Sequence, residues 1–329
     1  MKSSTILVTG GAGYIGSHMV KTLLEAGFGV VTIDNLSGGY RNAVLGGSFV
    51  EGDISNTQLV EHVLRDHQVS AVMHFASFIQ VGESVTNPGK YYRNNLADTV
   101  LLLETMRACN VKKFIFSSSA AVYGEPQSVP IPETHPKSPV NAYGRTKWMV
   151  EQILSDLDRS DNFRSISLRY FNAAGADPAG VLGERHEPET HLIPLVLRAA
   201  LGIAPHIKVF GSDYDTPDGT CIRDYVHVVD LCQAHLLALE RLLEVSKSAA
   251  FNLGNGNGFS VQELIETAMR VTGRDIPIVF ASRRPGDPAR LIADSSLVRE
   301  HLKWQPRYER LDTIIEHAWV WEQKRNGIS

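Results

Sequence analysis

The sequence predicts an α/β protein, a doubly wound parallel sheet joined to a smaller C-terminal α/β domain. Three observations carry that expectation. Short β-branched runs alternate with helical patterns as far as Arg169, which argues for a parallel sheet of βαβ units. A glycine-rich turn with Gly10, Gly13 and Gly16 follows the first strand at once and opens a helix. An acid, Asp34, closes the second strand 18 residues after Gly16, the layout of a dinucleotide-binding unit.

The 329 residues exceed what one compact core usually holds. Residues 1–175 are expected to form a dinucleotide-binding Rossmann domain, with 225–245 returning to it. Residues 176–329 are expected to form the substrate-binding domain, since Asp177 to Thr190 is rich in Pro, Gly and charge. The net charge is −4 and no basic block appears, so a nucleic-acid partner is not expected. No apolar run reaches the ~18 residues of a membrane span, and the N-terminus lacks a signal-peptide layout. The expected setting is the cytoplasm, with no membrane partner. Cys109, Cys221 and Cys232 have neither disulfide nor metal spacing, as free thiols in a reducing compartment would.

Taken in order, Thr5 to Thr9 is a strand and Ile15 to Leu24 a helix ended by Gly27. Val30 to Ile33 is the second strand. Asp34 at its end can accept hydrogen bonds from both hydroxyls of an adenine ribose and would repel a 2′-phosphate, which favours NAD over NADP. Gly47 to Glu51 is a short strand leading to Gly52-Asp53-Ile54, where Asp53 could meet an adenine amino group or cap the helix Thr57 to Arg65. Val69 to Phe75 is a strand that runs into Ala76 and Ser77. A helix passes through Asn94 to Ala108. Val111 to Phe116 is a buried strand ending in Ser117-Ser118-Ser119, and the proline-rich stretch Glu125 to Val140 is an irregular loop.

Tyr143 and Lys147 lie four apart, on one face if the segment is helical. The ammonium could then lower a phenol pKa that starts near ~10, giving a group that takes and returns a proton. Alone, such a pair is a weak signal and reads first as a surface contact. Ser119, one crossover earlier, could bridge Tyr143 and a reacting oxygen. Ser165 to Arg169 is the sixth strand.

Beyond Gly175 we expect a helix from His191 to Ala200, a strand Lys208 to Gly211, and an extended run Ile222 to His227. A helix Val229 to Leu243 follows, then a strand Phe251 to Gly254 and a helix capped by Ser260. Ile276 to Phe280 is a strand, Arg283 to Asp287 a basic loop, and two short helical segments end the chain. Arg223 and Arg284 suit phosphate oxygens, or surface ion pairs. His186-Glu187-Pro188-Glu189-Thr190-His191 resembles a zinc-protease motif only superficially. Its histidines are five apart rather than four, and a proline interrupts, so no metal site is expected.

Several of these motifs match one family in order. Thr9 to His18, Asp34 to Ser37, His74 to Ala76, Ser117 to Gly124, Tyr143 to Lys147, Leu168 to Asn172 and Arg223 to His227 resemble the UDP-glucose 4-epimerases, within the extended short-chain dehydrogenases/reductases. The resemblance covers essentially the whole chain. It implies NAD that is reduced and reoxidised in one turnover, a UDP-sugar substrate, inversion at sugar carbon 4 through a 4-keto intermediate, and a homodimer.

It also implies roles: Tyr143 as base, Lys147 tuning it and holding the nicotinamide ribose, and Ser119 orienting the hydroxyl. NAD contacts are implied for Gly10, Gly13, Tyr14, Ile15, Gly16, Asp34, Asn35, Leu36, Ser37, Gly38, Gly39, Asp53, Ile54, Phe75, Ala76, Ser77, Asn94, Ser119, Tyr143, Lys147 and Phe171. UDP-sugar contacts are implied for Ser119, Tyr143, Asn172, His191, Leu192, Lys208, Val209, Phe210, Arg223, Arg284 and Asp287. Ile79 stands where the family often has lysine, and His191 where asparagine is common. Leu291 falls where residue size is thought to govern N-acetylated sugars; the alternatives are a UDP-N-acetylglucosamine/UDP-N-acetylgalactosamine 4-epimerase or another UDP-sugar-modifying extended short-chain dehydrogenase, such as a UDP-glucuronate decarboxylase. A 4,6-dehydratase would need an acidic pair where Ala120-Ala121 stand. A silent NAD-sensing module would not need Tyr143, Lys147 and Ser119 together.

Overall fold

The computed structural model describes residues 4–284 and 287–328. Pro285 and Gly286 of the basic loop lie outside them. The chain divides into two compact units. The first comprises residues 1–124, 136–170 and 232–251, the second residues 125–135, 171–231 and 252–329.

The first unit is built on strands β1 (Thr5–Thr9), β2 (Gly29–Asp34), β3 (Ser48–Glu51), β4 (Val69–His74), β5 (Lys113–Ser119) and β6 (Arg164–Tyr170). They stand in the order β3-β2-β1-β4-β5-β6, and a seventh strand, Ala249–Leu253, follows β6. Every pairing from β3 to β6 is parallel. The order reverses between β1 and β4. Thr9 lies level with Ile33 on one side and His74 on the other, so both strands beside β1 end together at the sheet's carboxyl edge, where doubly wound sheets bind their ligands. The strands are near-continuous apolar runs because helices cover both faces. Leu7, Val31, Val72, Phe114 and Phe116 are fully or almost fully buried in one cluster with Leu102, Leu103, Val150 and Leu154 from the helices.

Three elements differ from the sequence expectation. β5 continues past Phe116 to Ser119 because Ser117 and Ser118 pair with Leu168 and Arg169 of β6. The helix expected over Asn94 to Ala108 begins earlier: Pro88–Tyr91 is helical, and a widened π-type turn, Tyr92–Ala97, carries it into Asp98–Ala108. Pro88 occupies the first helical turn, where its fixed φ suits helix entry. The last helix, Leu311–Arg325, is 15 residues long rather than a short segment.

The second unit has its own core, in which Ile193, Val196 and Leu197 pack with Val209, Leu264, Ile265, Ile314 and Ile315. Its strands are short. Asn172–Ala174 pairs in parallel with Tyr225–His227, and Ile207–Phe210 with Ile278–Ala281. Ile222–Arg223 lies between Phe259–Ser260 and Arg290–Leu291.

Candidate active site

The glycine turn is built for close approach. Gly10 has φ +72°, and a Cβ there would stand 2.4 Å from the Ala76 nitrogen. A Cβ on Gly16 would stand 2.1 Å from the Gly10 carbonyl. Gly13 differs, because its only neighbour would be the Gly10 oxygen at 3.4 Å. The space beside it is open, and a side chain would fill it. Gly13 also caps the helix Tyr14–Glu25 with no side-chain hydrogen bond and no acid in the first turn. The first N–H groups and the helix dipole therefore remain for an anion.

Asp34 is fixed at the end of β2. Its Oδ2 accepts the Ala12 N–H at 2.9 Å and its Oδ1 the Leu36 N–H at 2.8 Å. Burial raises its pKa, partly offset by those two bonds. Asn35 donates to Asp53 Oδ2 at 2.7 Å, and Asp53 Oδ1 accepts the Ser55 N–H at 2.8 Å. The helix-cap reading of Asp53 is corrected: Asn56 caps Thr57–Asp66, accepting the Leu59 N–H. Ile54 is buried behind this loop. Ser37 is tied to the Asn35 side chain, and Gly39 packs on Ala12, which a Cβ would approach to 2.7 Å. Phe75 and Ala76 both donate to the Thr9 carbonyl, which holds the chain before Ser77 against the end of β1. Asn94 and Asn95 both accept from the Phe78 N–H. An open glycine turn, an uncapped helix start and a fixed carboxylate one strand away fit a dinucleotide.

The candidate catalytic set follows on β5 and the next helix. Asn141 caps Ala142–Asp161 by accepting the Gly144 N–H at 2.8 Å, which puts Tyr143 in the first turn. A Cβ on Gly144 would stand 2.4 Å from the Ala121 carbonyl, so glycine lets this turn settle on the segment after Ser119. The Ser119 hydroxyl, which accepts the Ala121 N–H at 3.2 Å, works against the rise of the Tyr143 pKa. Lys147 is 3% exposed. Its Nζ donates to the Ser117 carbonyl at 2.9 Å and lies 5.8 Å from the centre of the Tyr143 ring.

The charge balance differs from the sequence expectation. Burial raises the Tyr143 pKa, and the Ser119 bond offsets only part of that. Burial alone pushes Lys147 down to about 7. In the chain by itself desolvation outweighs the ammonium–phenol attraction. The two side chains share a face as expected, and burial holds the phenol above its ordinary value.

Sequence reasoning missed the brace beneath this pair. Glu151, one turn beyond Lys147, accepts from Ser118 Oγ at 2.5 Å and from Arg169 Nε at 2.9 Å. Arg169 also donates to the Tyr123 hydroxyl at 2.9 Å. Both side chains of the ion pair are 5% exposed. The network ties β5, β6 and the helix to one another, so Tyr143, Lys147 and Ser119 share a rigid base. A glutamate one helical turn past Lys147 was the only local clue. His74 is a structural histidine: Thr99 donates to the Asn95 carbonyl, leaving its oxygen to accept from His74 Nε2, while His74 Nδ1 accepts from Thr9. Burial, then the Lys147 charge, lowers its pKa to about 3 and keeps it neutral.

The residues expected to hold a UDP-sugar lie in the second unit, with Phe171 at its start. Arg223 donates to Asp287 Oδ1 at 2.7 Å and to the Pro288 carbonyl at 2.9 Å. Arg284 stacks on the Phe210 ring at 3.9 Å, and Lys208 and Val209 share that strand. Leu291 lies directly beside Arg223 in register, a proximity no spacing revealed. Asn172 donates to the Asp224 carbonyl at 2.9 Å. Leu192 opens the helix Leu192–Ala200, whose capping position is His191. Burial opposes protonation of His191, but the Glu184 charge and hydrogen bonds to Glu184 and Glu189 overcome it and raise the pKa to about 10.

A doubly wound sheet with an open dinucleotide turn and a buried Ser–Tyr–Lys set defines the class: a nicotinamide-dependent short-chain dehydrogenase/reductase. Residues 6–254 match the model of the NAD dependent epimerase/dehydratase family. The UDP-glucose 4-epimerase of Halalkalibacterium halodurans is 50% identical over 319 residues, covering 97% of this chain and 96% of that protein. The one from Azospirillum brasilense is 51% identical over 322 residues, covering 98% and 92%. The crystal structure of the Brucella ovis UDP-glucose 4-epimerase in complex with NAD superposes with a TM-score of 0.94 at 48% identity, covering 96% of this chain and 98% of that one. The chain belongs to the NAD dependent epimerase/dehydratase family and, within it, to the UDP-glucose 4-epimerases.

Proposed function

We propose that the protein interconverts UDP-glucose and UDP-galactose by inverting sugar carbon 4, with NAD recycled in each turnover. The observation that carries the catalytic assignment is a buried Tyr143 one helical turn from a buried Lys147, with Ser119 acting on the phenol. When bound in this site, NAD would supply a reversible hydride acceptor for sugar carbon 4. Tyr143 accepts the proton of the 4-hydroxyl and returns it on the other face. Ser119 donates to the phenol oxygen and favours the phenolate. Lys147, drawn down to about 7 by burial, holds the ribose hydroxyls and adds positive charge whenever it is protonated.

Arg223, Arg284 and Lys208 hold the diphosphate. That binding is the same for either sugar face, so the ketone can turn without leaving. Arg223 is already held by Asp287, so it gives up less side-chain freedom in gripping a phosphate. Ala120-Ala121 form a short turn after Ser119 and offer no acid–base pair for dehydration. By family likeness we also assign a homodimer in the cytoplasm.

A second reading, epimerisation of N-acetylated UDP-sugars, draws on Leu291 beside Arg223, where a side chain of intermediate size would border the sugar. One assay tests both readings. The purified protein, with no added nicotinamide, is given UDP-galactose and UDP-N-acetylgalactosamine separately, and the products are resolved by chromatography. We expect conversion of UDP-galactose to UDP-glucose. The rate ratio decides how far the second substrate is accepted. Bound NAD without conversion of either sugar would overturn the substrate assignment.

A further inference from the structure

We propose that Glu184, His186, Glu189 and His191 form a site for one divalent transition ion of the zinc class. Their donor atoms all lie within 4.8 Å of one another. His191 Nδ1 stands 2.9 Å from Glu184 Oε1 and 3.0 Å from Glu189 Oε1. His186 Nδ1 stands 3.3 Å from Glu184 Oε1 and 3.6 Å from Glu189 Oε2. Four ligands at ~2.0–2.1 Å around tetrahedral zinc are separated by about 3.3 Å, the middle of that range. Two imidazoles and two carboxylates suit zinc rather than the all-oxygen shells of magnesium or calcium.

The alternative occupant of the same space is a pair of protons, one on each histidine. It is the poorer solution. The two rings are 5.0 Å apart, so two imidazolium charges would repel in a buried place. Glu189 Oε2 is buried and accepts no hydrogen bond, and His186 Nδ1 stands 3.6 Å from it, beyond hydrogen-bond range. A single ion satisfies that oxygen and removes the like-charge contact.

The spacing argument against metal assumed a helix. Residues 184–191 form an irregular loop, where a five-residue separation is no obstacle, and Glu184 lies outside the motif altogether. The ion would fasten this loop ahead of the helix Leu192–Ala200. The loop is already held to the last helix, through the Trp321 indole N–H on the Glu184 carbonyl at 3.0 Å. Coordination through Nδ1 leaves His191 Nε2–H as a donor. The inference stands independently of the proposed substrate.

The test uses untagged full-length protein stripped with a chelator. Zn2+ is titrated against a chromogenic competitor, and Mg2+ in parallel. We expect one zinc per chain, a raised melting temperature with zinc, and no response to magnesium. His186→Ala should weaken zinc by more than about 100-fold, above the 10- to 100-fold of a lost outer-shell partner. Should that variant fail to fold, Glu189→Gln is expected to show the same loss. Zinc uptake by wild type below one equivalent, or equal uptake by wild type and a folded variant, would overturn the site.

Discussion

The two units treat their candidate functional side chains in opposite ways. Around Tyr143 the first unit leaves its reactive groups without a counter-ion: Lys147 donates to a neutral carbonyl, and burial sets the pKa of both side chains. In the second unit the candidate contacts are charged and already matched, Arg223 with Asp287 and His191 with Glu184 and Glu189. An unpaired buried base is costly until substrate or cofactor completes it, which suits proton transfer. A matched pair is ready for an anion that does not change during the reaction. Perturbing the first unit should therefore change turnover, and perturbing the second should change binding.

The largest expected effect tests that division at Tyr143. Tyr143→Phe removes the proton acceptor but keeps the ring, so bound NAD should persist while kcat falls by roughly 10²- to 10⁴-fold. Near-normal turnover would remove Tyr143 from the chemistry. Next is the brace. Glu151→Gln leaves the Arg169 charge buried and unmatched, and breaking such a pair costs about 3–5 kcal/mol. Denaturant unfolding should register that loss, and an unchanged midpoint would show that the network is not a support.

In the second unit, Arg223→Ala should raise KM and the inhibition constant of UDP by roughly 10- to 150-fold, the equivalent of about 1.5–3 kcal/mol for charged hydrogen bonds, with little change in kcat. An effect on kcat alone would blur the contrast between the units. The smallest effect concerns pH. The folded pKa of Lys147 is near 7 against an ordinary 10.5, so between those values the folded NAD-free chain binds fewer protons than the unfolded one. Its stability should rise as pH climbs through that window. Lys147→Met should flatten the rise, seen as melting temperature against pH.

What could be read in the sequence was local. The turn from Gly10 to Gly16, Asp34 at a strand end, and Tyr143 one helical turn from Lys147 each span a few residues, and backbone periodicity decides who faces whom. The βαβ alternation extends that logic to the sheet order. Pairings far apart in the chain were not legible: Arg169 with Tyr123 and Glu151, Leu291 beside Arg223, and Arg223 with Asp287, 64 residues away. Nor was the direction of the Tyr143 shift, since residue type predicts attraction to Lys147 while depth of burial determines the outcome.

By itself, then, the sequence determined the dinucleotide unit, the candidates for the reacting side chains and the likeness to UDP-glucose 4-epimerases. Tertiary structure decided which charges are matched, which are stranded by desolvation, and that Glu184 joins His186, Glu189 and His191. The reason is physical. Backbone conformation is set by near neighbours along the chain, whereas electrostatic energy depends on distance and dielectric, and only the packed fold supplies those.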